Sequence, residues 1–324
     1  MHSVLEAQTL RYYTKVFNII LIFSLFFFFL YFYYTLNKNI ELTKNIIEIK
    51  KGENIENILN KNVKNLSKFE VYLTKLYYNT NLIFNKKFVH FGEFSIEKKI
   101  SIIKLFDIIS KPSNILRKLI IIEGSSSKDL TNNIFKNFNY FFKIPYEDII
   151  ADTYFYNKDT KYNSFLKHLV NVKKQYFKNN ANNELLDVYT DEEIMIIGSL
   201  IEKEGLDDLD KKKISSVIFN RLNSKMKLQI DATVIYAITD GNYNLNRKLL
   251  LNDLEVKHPF NTYYIDGLPP KPICYVGKKT LDLIFENYKS DFMFYFFNNS
   301  LNRHIFSKSF EEHKKKLNEY RNKQ

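Results

Sequence analysis

Two carboxylates, Glu202 and Glu204, close the run DEEIMIIGSLIEKE and meet different surroundings. Thr190-Asp191-Glu192-Glu193 opens that run as a capping box and Gly205 stops it, so the spacing predicts one helix. Between Ile194 and Ile201 it is apolar nearly all round, the mark of a buried helix. At about 100° per residue, Glu202 shares a column with Met195, Gly198 and Ser199, whereas Glu204 projects about 200° away, beside Glu193. A carboxyl group over a small apolar surface loses hydration, keeps its proton near neutral pH and can serve as a general acid. On the residues alone two readings of Glu202 stand: that acid, or a helix-end residue paired with Lys203 or a cation near Arg221.

Further polar groups follow at loop-like spacing. Met226-Lys227-Leu228-Gln229-Ile230-Asp231-Ala232-Thr233 fits neither helix nor alternating strand, and a loop carrying Gln, Asp and Thr suits sugar hydroxyls. Phe260-Asn261-Thr262-Tyr263 precedes Gly267-Leu268-Pro269-Pro270-Lys271-Pro272-Ile273, a rigid turn expected to fix one wall of a cleft. The six histidines show no i,i+4 metal pairing and no HExxH, and there is no Gly-rich phosphate loop or GxSxG elbow, so neither metal nor cofactor is expected.

The elements that would position these groups can be read outward from them. KKKISSVIFNRLNSKM predicts a second packing helix, Met293 to Phe297 a strand, and Phe310 to Arg321 a terminal helix after Arg303-His304-Ile305-Phe306-Ser307. Upstream, NIIEIKKGENIENILNKNV reads as strand, Gly turn and helix, and LIIIEGSSSKDLTNNIF repeats that order with Ile120 to Ile122 as the strand. Lys87 to Ser110 reads as a strand and Gly turn before a helix EKKISIIKLFDIIS, and Pro145 to Val188 as helical. The expected class is α+β, with a small module at 43–117 and a mixed domain at 118–324.

Near the start, Val16 to Tyr34 carries no charge and ends in Tyr31, Tyr33 and Tyr34. Nineteen residues at about 1.5 Å each reach about 28 Å, close to the hydrocarbon thickness of a bilayer, and tyrosines settle at its boundary. Residues 16–34 are therefore expected to be a single membrane anchor behind a cytoplasmic tail at 1–15. No small-x-small cleavage site follows. The chain's 48 Lys and Arg against 36 Asp and Glu give +12, but no zinc finger or basic heptad accompanies the charge. A Lys- and Asn-rich, Gly-poor composition is what AT-rich coding imposes, so no nucleic-acid partner is expected. One cysteine, Cys274, cannot form an internal disulfide.

Ser199 to Glu204, Phe219-Asn220-Arg221-Leu222, Met226 with Leu228-Gln229, Asp231 with Thr233, Asn261-Thr262-Tyr263, Gly267-Leu268-Pro269-Pro270 with Pro272-Ile273, Tyr295-Phe296, and His304 with Phe306-Ser307, Glu312 and His313 together resemble the signature of the endolytic murein transglycosylase (MltG/YceG-like) family. The resemblance implies a single-pass enzyme of the inner (cytoplasmic) membrane, with a LysM-like module at 43–117 and an extracytoplasmic catalytic domain at 118–324. It would cut MurNAc–GlcNAc bonds in nascent peptidoglycan strands and meet peptidoglycan synthases. It places the acid at Glu202, the first Glu of Glu202-Lys203-Glu204, and cleft contacts at Gln229, Asp231, Asn261 and Tyr263. One carboxyl group suffices for a lytic reaction, in which the MurNAc C6 hydroxyl closes a 1,6-anhydro ring, unlike the paired acids of ordinary glycosidases. Ala232, Lys271, Phe260, Gly205 and Cys274-Tyr275-Val276 depart from the family pattern, which leaves a catalytically inert, membrane-tethered glycan-binding scaffold as the alternative.

Overall fold

The computed structural model describes residues 2–243 and 245–322, with side chains from residue 11 onward. The outer limits expected for the tail and the last domain, residues 1 and 324, lie outside the described residues. The architecture is α+β, in two compact units: described residues up to Arg117 with Asn157–Asp159, and Lys118–Tyr156 with the described residues from Thr160 on.

The first unit opens with α1 (His2–Asn37), whose stretch Arg11–Asn37 is long and apolar enough to cross a membrane; its most apolar 18-residue window is not covered by the rest of the chain. Then come β1 (Asn39–Leu42), β2 (Ile46–Ile49), α2 (Ile55–Asn62), β3 (Val63–Lys64), α3 (Lys68–Asn85), β4 (Gly92–Ser95), β5 (Lys99–Ser101) and α4 (Ile102–Ile109). β1 lies between β3 and β5, both antiparallel to it, with Ile40 opposite Ile100; β2 pairs antiparallel with β4, with Ile47 opposite Phe94. Alternation sends Ile40, Leu42, Ile47, Ile49 and Phe94 inward, where they meet Ile58 and Leu59 of α2, Leu105 and Ile109 of α4, and Leu36 from the last turn of α1. Two expectations need correction. Lys99–Ser101 is a strand, and its last residue caps α4 through Ser101 Oγ and the Lys104 N–H, so the helix begins at Ile102. α3, a full 18-residue helix with a Ser67–Glu70 capping box, is an element the sequence reading did not contain.

The second unit contains β6 (Arg117–Ile120), α5 (Ser127–Phe138), β7 (Thr153–Tyr156), α6 (Tyr162–Asn179), α7 (Asp191–Glu204), α8 (Asp208–Asn223), α9 (Asp231–Thr239), α10 (Lys278–Phe285), β8 (Phe294–Asn298), β9 (Arg303–Ser307) and α11 (Phe310–Arg321). β6 stops at Ile120, two residues short of the expected strand end, and its partner β7 interrupts the stretch read as helical. α7 is the buried centre. Met195, Ile197, Leu200 and Ile201 pack against Ile214, Val217 and Ile218 of α8 and Leu281 and Ile284 of α10. Gly198 permits that approach, since a Cβ there would lie 2.7 Å from Val276 Cγ1. β8 and β9 form an antiparallel hairpin with Tyr295 opposite Phe306 and Phe297 opposite His304.

Candidate active site

α7 begins and ends where its capping signals place it, and its last turn sends Glu202 and Glu204 into different environments. Glu202 does not rest on a bare apolar surface. Lys211 reaches across from α8 and donates to Glu202 Oε2 at 2.6 Å and to Thr280 Oγ1 at 2.8 Å, while the Gly277 N–H donates to Glu202 Oε1 at 3.0 Å. The Glu202 side chain is 3% exposed, so both carboxylate oxygens are engaged inside the protein. Helical periodicity could not reveal Lys211, because it arrives from the next helix. The neighbourhood of Arg221 supplies no partner either: that guanidinium donates to the backbone carbonyls of Met293 at 2.7 Å and Leu228 at 2.8 Å.

Glu204 has the character expected of its neighbour. Its carboxyl group is withdrawn from water beside Asp231, and both effects raise its pKa, from 4.5 to about 7. His304, the Ala232 backbone N–H in the first turn of α9 and the Tyr295 hydroxyl work against that rise by favouring the anion. A carboxyl group poised near neutrality between groups that accept either of its charge states is suited to giving a proton and taking one back.

Three elements assemble this surrounding. α9 starts at Asp231, which accepts a 2.6 Å hydrogen bond from the Tyr263 hydroxyl. The segment before α9 is latched to the 260–264 loop: Ile230 N–H donates to Thr262 Oγ1 at 2.9 Å, and the Thr233 and Thr262 hydroxyls meet at 2.9 Å. β8 brings Tyr295, and its approach is held by Asn220, whose amide donates to Ser290 O at 2.8 Å and Phe292 O at 2.9 Å. β9 brings His304, whose Nδ1 lies 2.8 Å from Asp210 Oδ2 at the start of α8. Asp210 also accepts the Leu206 N–H at 3.0 Å, which ties the turn after Glu204 to the same pair.

Of the polar residues expected at the site, Asp231 and Tyr263 stand beside Glu204, and burial together with Asp231 raises the Tyr263 pKa. Gln229 is exposed in a left-handed conformation, φ 52°, with its Oε1 3.5 Å from Arg221 Nη1. Asn261, the remaining expected contact, lies in the 260–264 loop. It is wholly buried; its amide donates to Leu254 O at 2.9 Å and Val256 O at 2.8 Å, and its Oδ1 accepts the Tyr263 N–H at 2.9 Å. Every polar atom of that side chain is used in bracing the loop that presents Tyr263. Glu204, Tyr295, His304 and Asp210 were absent from the expected set; Tyr295 and His304 fell on motif positions, but nothing in their spacing ties them to Glu204. Among the described residues no three His, Cys, Asp or Glu side chains converge as a metal-binding group.

The family model described as the YceG-like family matches residues 47–319. Endolytic murein transglycosylase from Bacillus subtilis (strain 168) is 32% identical over 193 residues, 59% of this chain and 51% of that protein. A protein of the same description from Streptococcus pneumoniae (strain D39) is 29% identical over 133 residues, 40% of this chain and 24% of the relative. The chain thus spans about half or less of the length of the curated relatives it matches. The crystal structure of a YceG-like protein from Listeria monocytogenes shares the fold, with a TM-score of 0.52 and 23% identity over 83% of this chain and 98% of that one.

Proposed function

The chain belongs to the YceG-like family, and from that premise we propose that it is a membrane-anchored lytic transglycosylase that cuts glycan strands of murein internally, with Glu204 as its acid and base. The observation that carries the assignment is the gathering of Asp231, Tyr263, Tyr295 and His304 around Glu204, a carboxyl group that burial and Asp231 push towards its protonated form. The B. subtilis and S. pneumoniae relatives bearing the name endolytic murein transglycosylase support the substrate class.

The reaction needs one carboxyl group used twice. Protonated Glu204 gives its proton to the oxygen of the MurNAc–GlcNAc bond as the C1–O bond breaks, and positive charge develops on the MurNAc ring. The nearby Asp231 carboxylate, oriented by the Tyr263 hydroxyl, stabilises that charge. Glu204, now anionic and favoured by the Ala232 N–H, the Tyr295 hydroxyl and His304, removes the proton from the C6 hydroxyl, whose oxygen closes the 1,6-anhydro ring on C1. No water is consumed. Glu202 has a structural role in this scheme, fastening the end of α7 to α8 through Lys211 and to Gly277 through that residue's backbone N–H.

α1 is read as the single anchor, with the second unit outside the cytoplasm where murein lies, the first unit as the LysM-like module, and murein synthases as neighbours. Digestion of purified sacculi by the full chain in detergent tests the chemistry. It should release 1,6-anhydro-muropeptides; Glu204→Gln should abolish them and Glu202→Gln should retain them. Loss of products with Glu202→Gln in a folded protein, and their persistence with Glu204→Gln, would reverse the assignment. Sacculus binding without new anhydro ends in the parent chain would point to a glycan-binding scaffold instead.

A further inference from the structure

The first unit leaves an apolar stripe uncovered on α3. Phe69, Tyr72, Leu76 and Ile83 are 51%, 60%, 38% and 70% exposed. Steps of three, four and seven residues bring all four within an arc of about 60° on the helix. The roughly opposite face, with Glu70, Val71, Leu73 and Thr74, is buried against the unit's core. A helix on a soluble domain needs one apolar stripe; α3 has two.

α1 fixes where the uncovered stripe begins. Tyr31 stacks on Phe69 with ring centroids 5.8 Å apart, and Lys38 pairs with Glu70. Tyr31 belongs to the tyrosine cluster that closes the apolar run of α1, at the level where a bilayer gives way to water. Phe69 is therefore set at the same level. We infer that the exposed face of α3 lies in the headgroup and upper acyl region of the bilayer that α1 crosses, as an in-plane second membrane contact. The occupant is lipid. Lys68 stands beside the first stripe residue and Lys86 and Lys87 follow the last turn, where long amphipathic side chains can extend to anionic headgroups. Lys75, near the stripe, pairs with Glu56, and Lys87 lies 3.7 Å from Asp107.

The inference rests on reading α1 as a span, and one experiment separates the two. Tyr72→Cys, Ile83→Cys and, within the span, Phe23→Cys are labelled with the fluorophore NBD in the full chain, in vesicles of phosphatidylcholine and phosphatidylglycerol. The native thiol of Cys274 is fully buried and contributes little label. At positions 72 and 83 the emission should shift to the blue, lose intensity to doxyl groups placed high in the lipid, and resist aqueous iodide. The shift should shrink as phosphatidylglycerol is withdrawn. Iodide quenching at 72 and 83 with a lipid-protected label at 23 would overturn the in-plane contact and leave the anchor standing. Iodide quenching at all three would overturn both. Labels at 72 and 83 protected in native-membrane vesicles but not in pure lipid would assign the stripe to a protein partner and remove the lipid assignment.

Discussion

At the scale of single residues, the site turns on how the surroundings of two glutamates differ. Both lie at the end of one buried helix; Lys211 answers Glu202, and Asp231 opposes the charge on Glu204. In the proposed reaction Glu204, with its pKa raised to about 7, supplies its proton in neutral and mildly acidic solution and loses that ability as pH rises. Turnover of sacculi should therefore fall about tenfold per pH unit above about 7, measured as anhydro-muropeptide release. The same shift has a stability sign. The folded chain holds a proton that the unfolded chain loses between pH 4.5 and about 7, so Glu204 costs stability as pH rises through that window and the cost is complete above it. Glu204→Gln should raise the melting temperature at pH 8 and leave it unchanged at pH 4, with a gain of at most about 3 kcal/mol. An equal effect at both pH values would contradict the raised pKa. The sequence could place Glu202 and Glu204 on different sides of α7 but could not say what faced them, because Lys211, Asp231, Tyr295 and His304 reach them only through tertiary packing.

At the scale of elements, sequence signals were most informative where a local rule is complete in itself. Thr190 and Glu193 cap α7, Gly205 ends it, and β8 and α11 fall within a residue of their expected limits, whereas β9 was not expected as a strand. α3 was missed because its second apolar stripe obscures the single-face periodicity that marks an ordinary helix, and the β5–α4 junction because Lys99–Ser101 continues an apparently helical pattern. Asn261 was expected as a cleft contact on the family resemblance; only the loop's geometry shows its amide spent on Leu254 and Val256. Asn261→Ala should cost about 2–4 kcal/mol by leaving buried backbone groups unpaired, and should lower activity by releasing Tyr263 from its position. A melting temperature within about 1 °C of the parent would remove that bracing role. Gly198→Ala tests the packing of α7 directly. Its new methyl group would press on Val276 and Leu281, and overpacking should destabilise the second unit by about 1–3 kcal/mol despite the better helix propensity of alanine.

At the scale of the whole molecule, both the chain's reach and its chemistry follow from how each unit closes on its own core. Leu36, from the last turn of α1, is buried with Ile40 and Leu42, so the apolar helix runs into the first unit without a flexible connector. Cutting the chain after Asn37 should therefore lower the melting temperature of that unit; unchanged melting would refute the shared core. The second unit carries a different device. Cys274 is fully buried, its Sγ lies 3.3 Å from Ser199 O in α7, and burial pushes its pKa up. Such a thiol reacts with an aqueous disulfide reagent only in the moments when the packing around α7 comes apart. The rate of modification is thus a clock for that opening, built into the chain without a probe. It should run at least about a thousandfold slower than in the denatured chain, and Gly198→Ala, which wedges the adjoining contact, should quicken it by roughly tenfold.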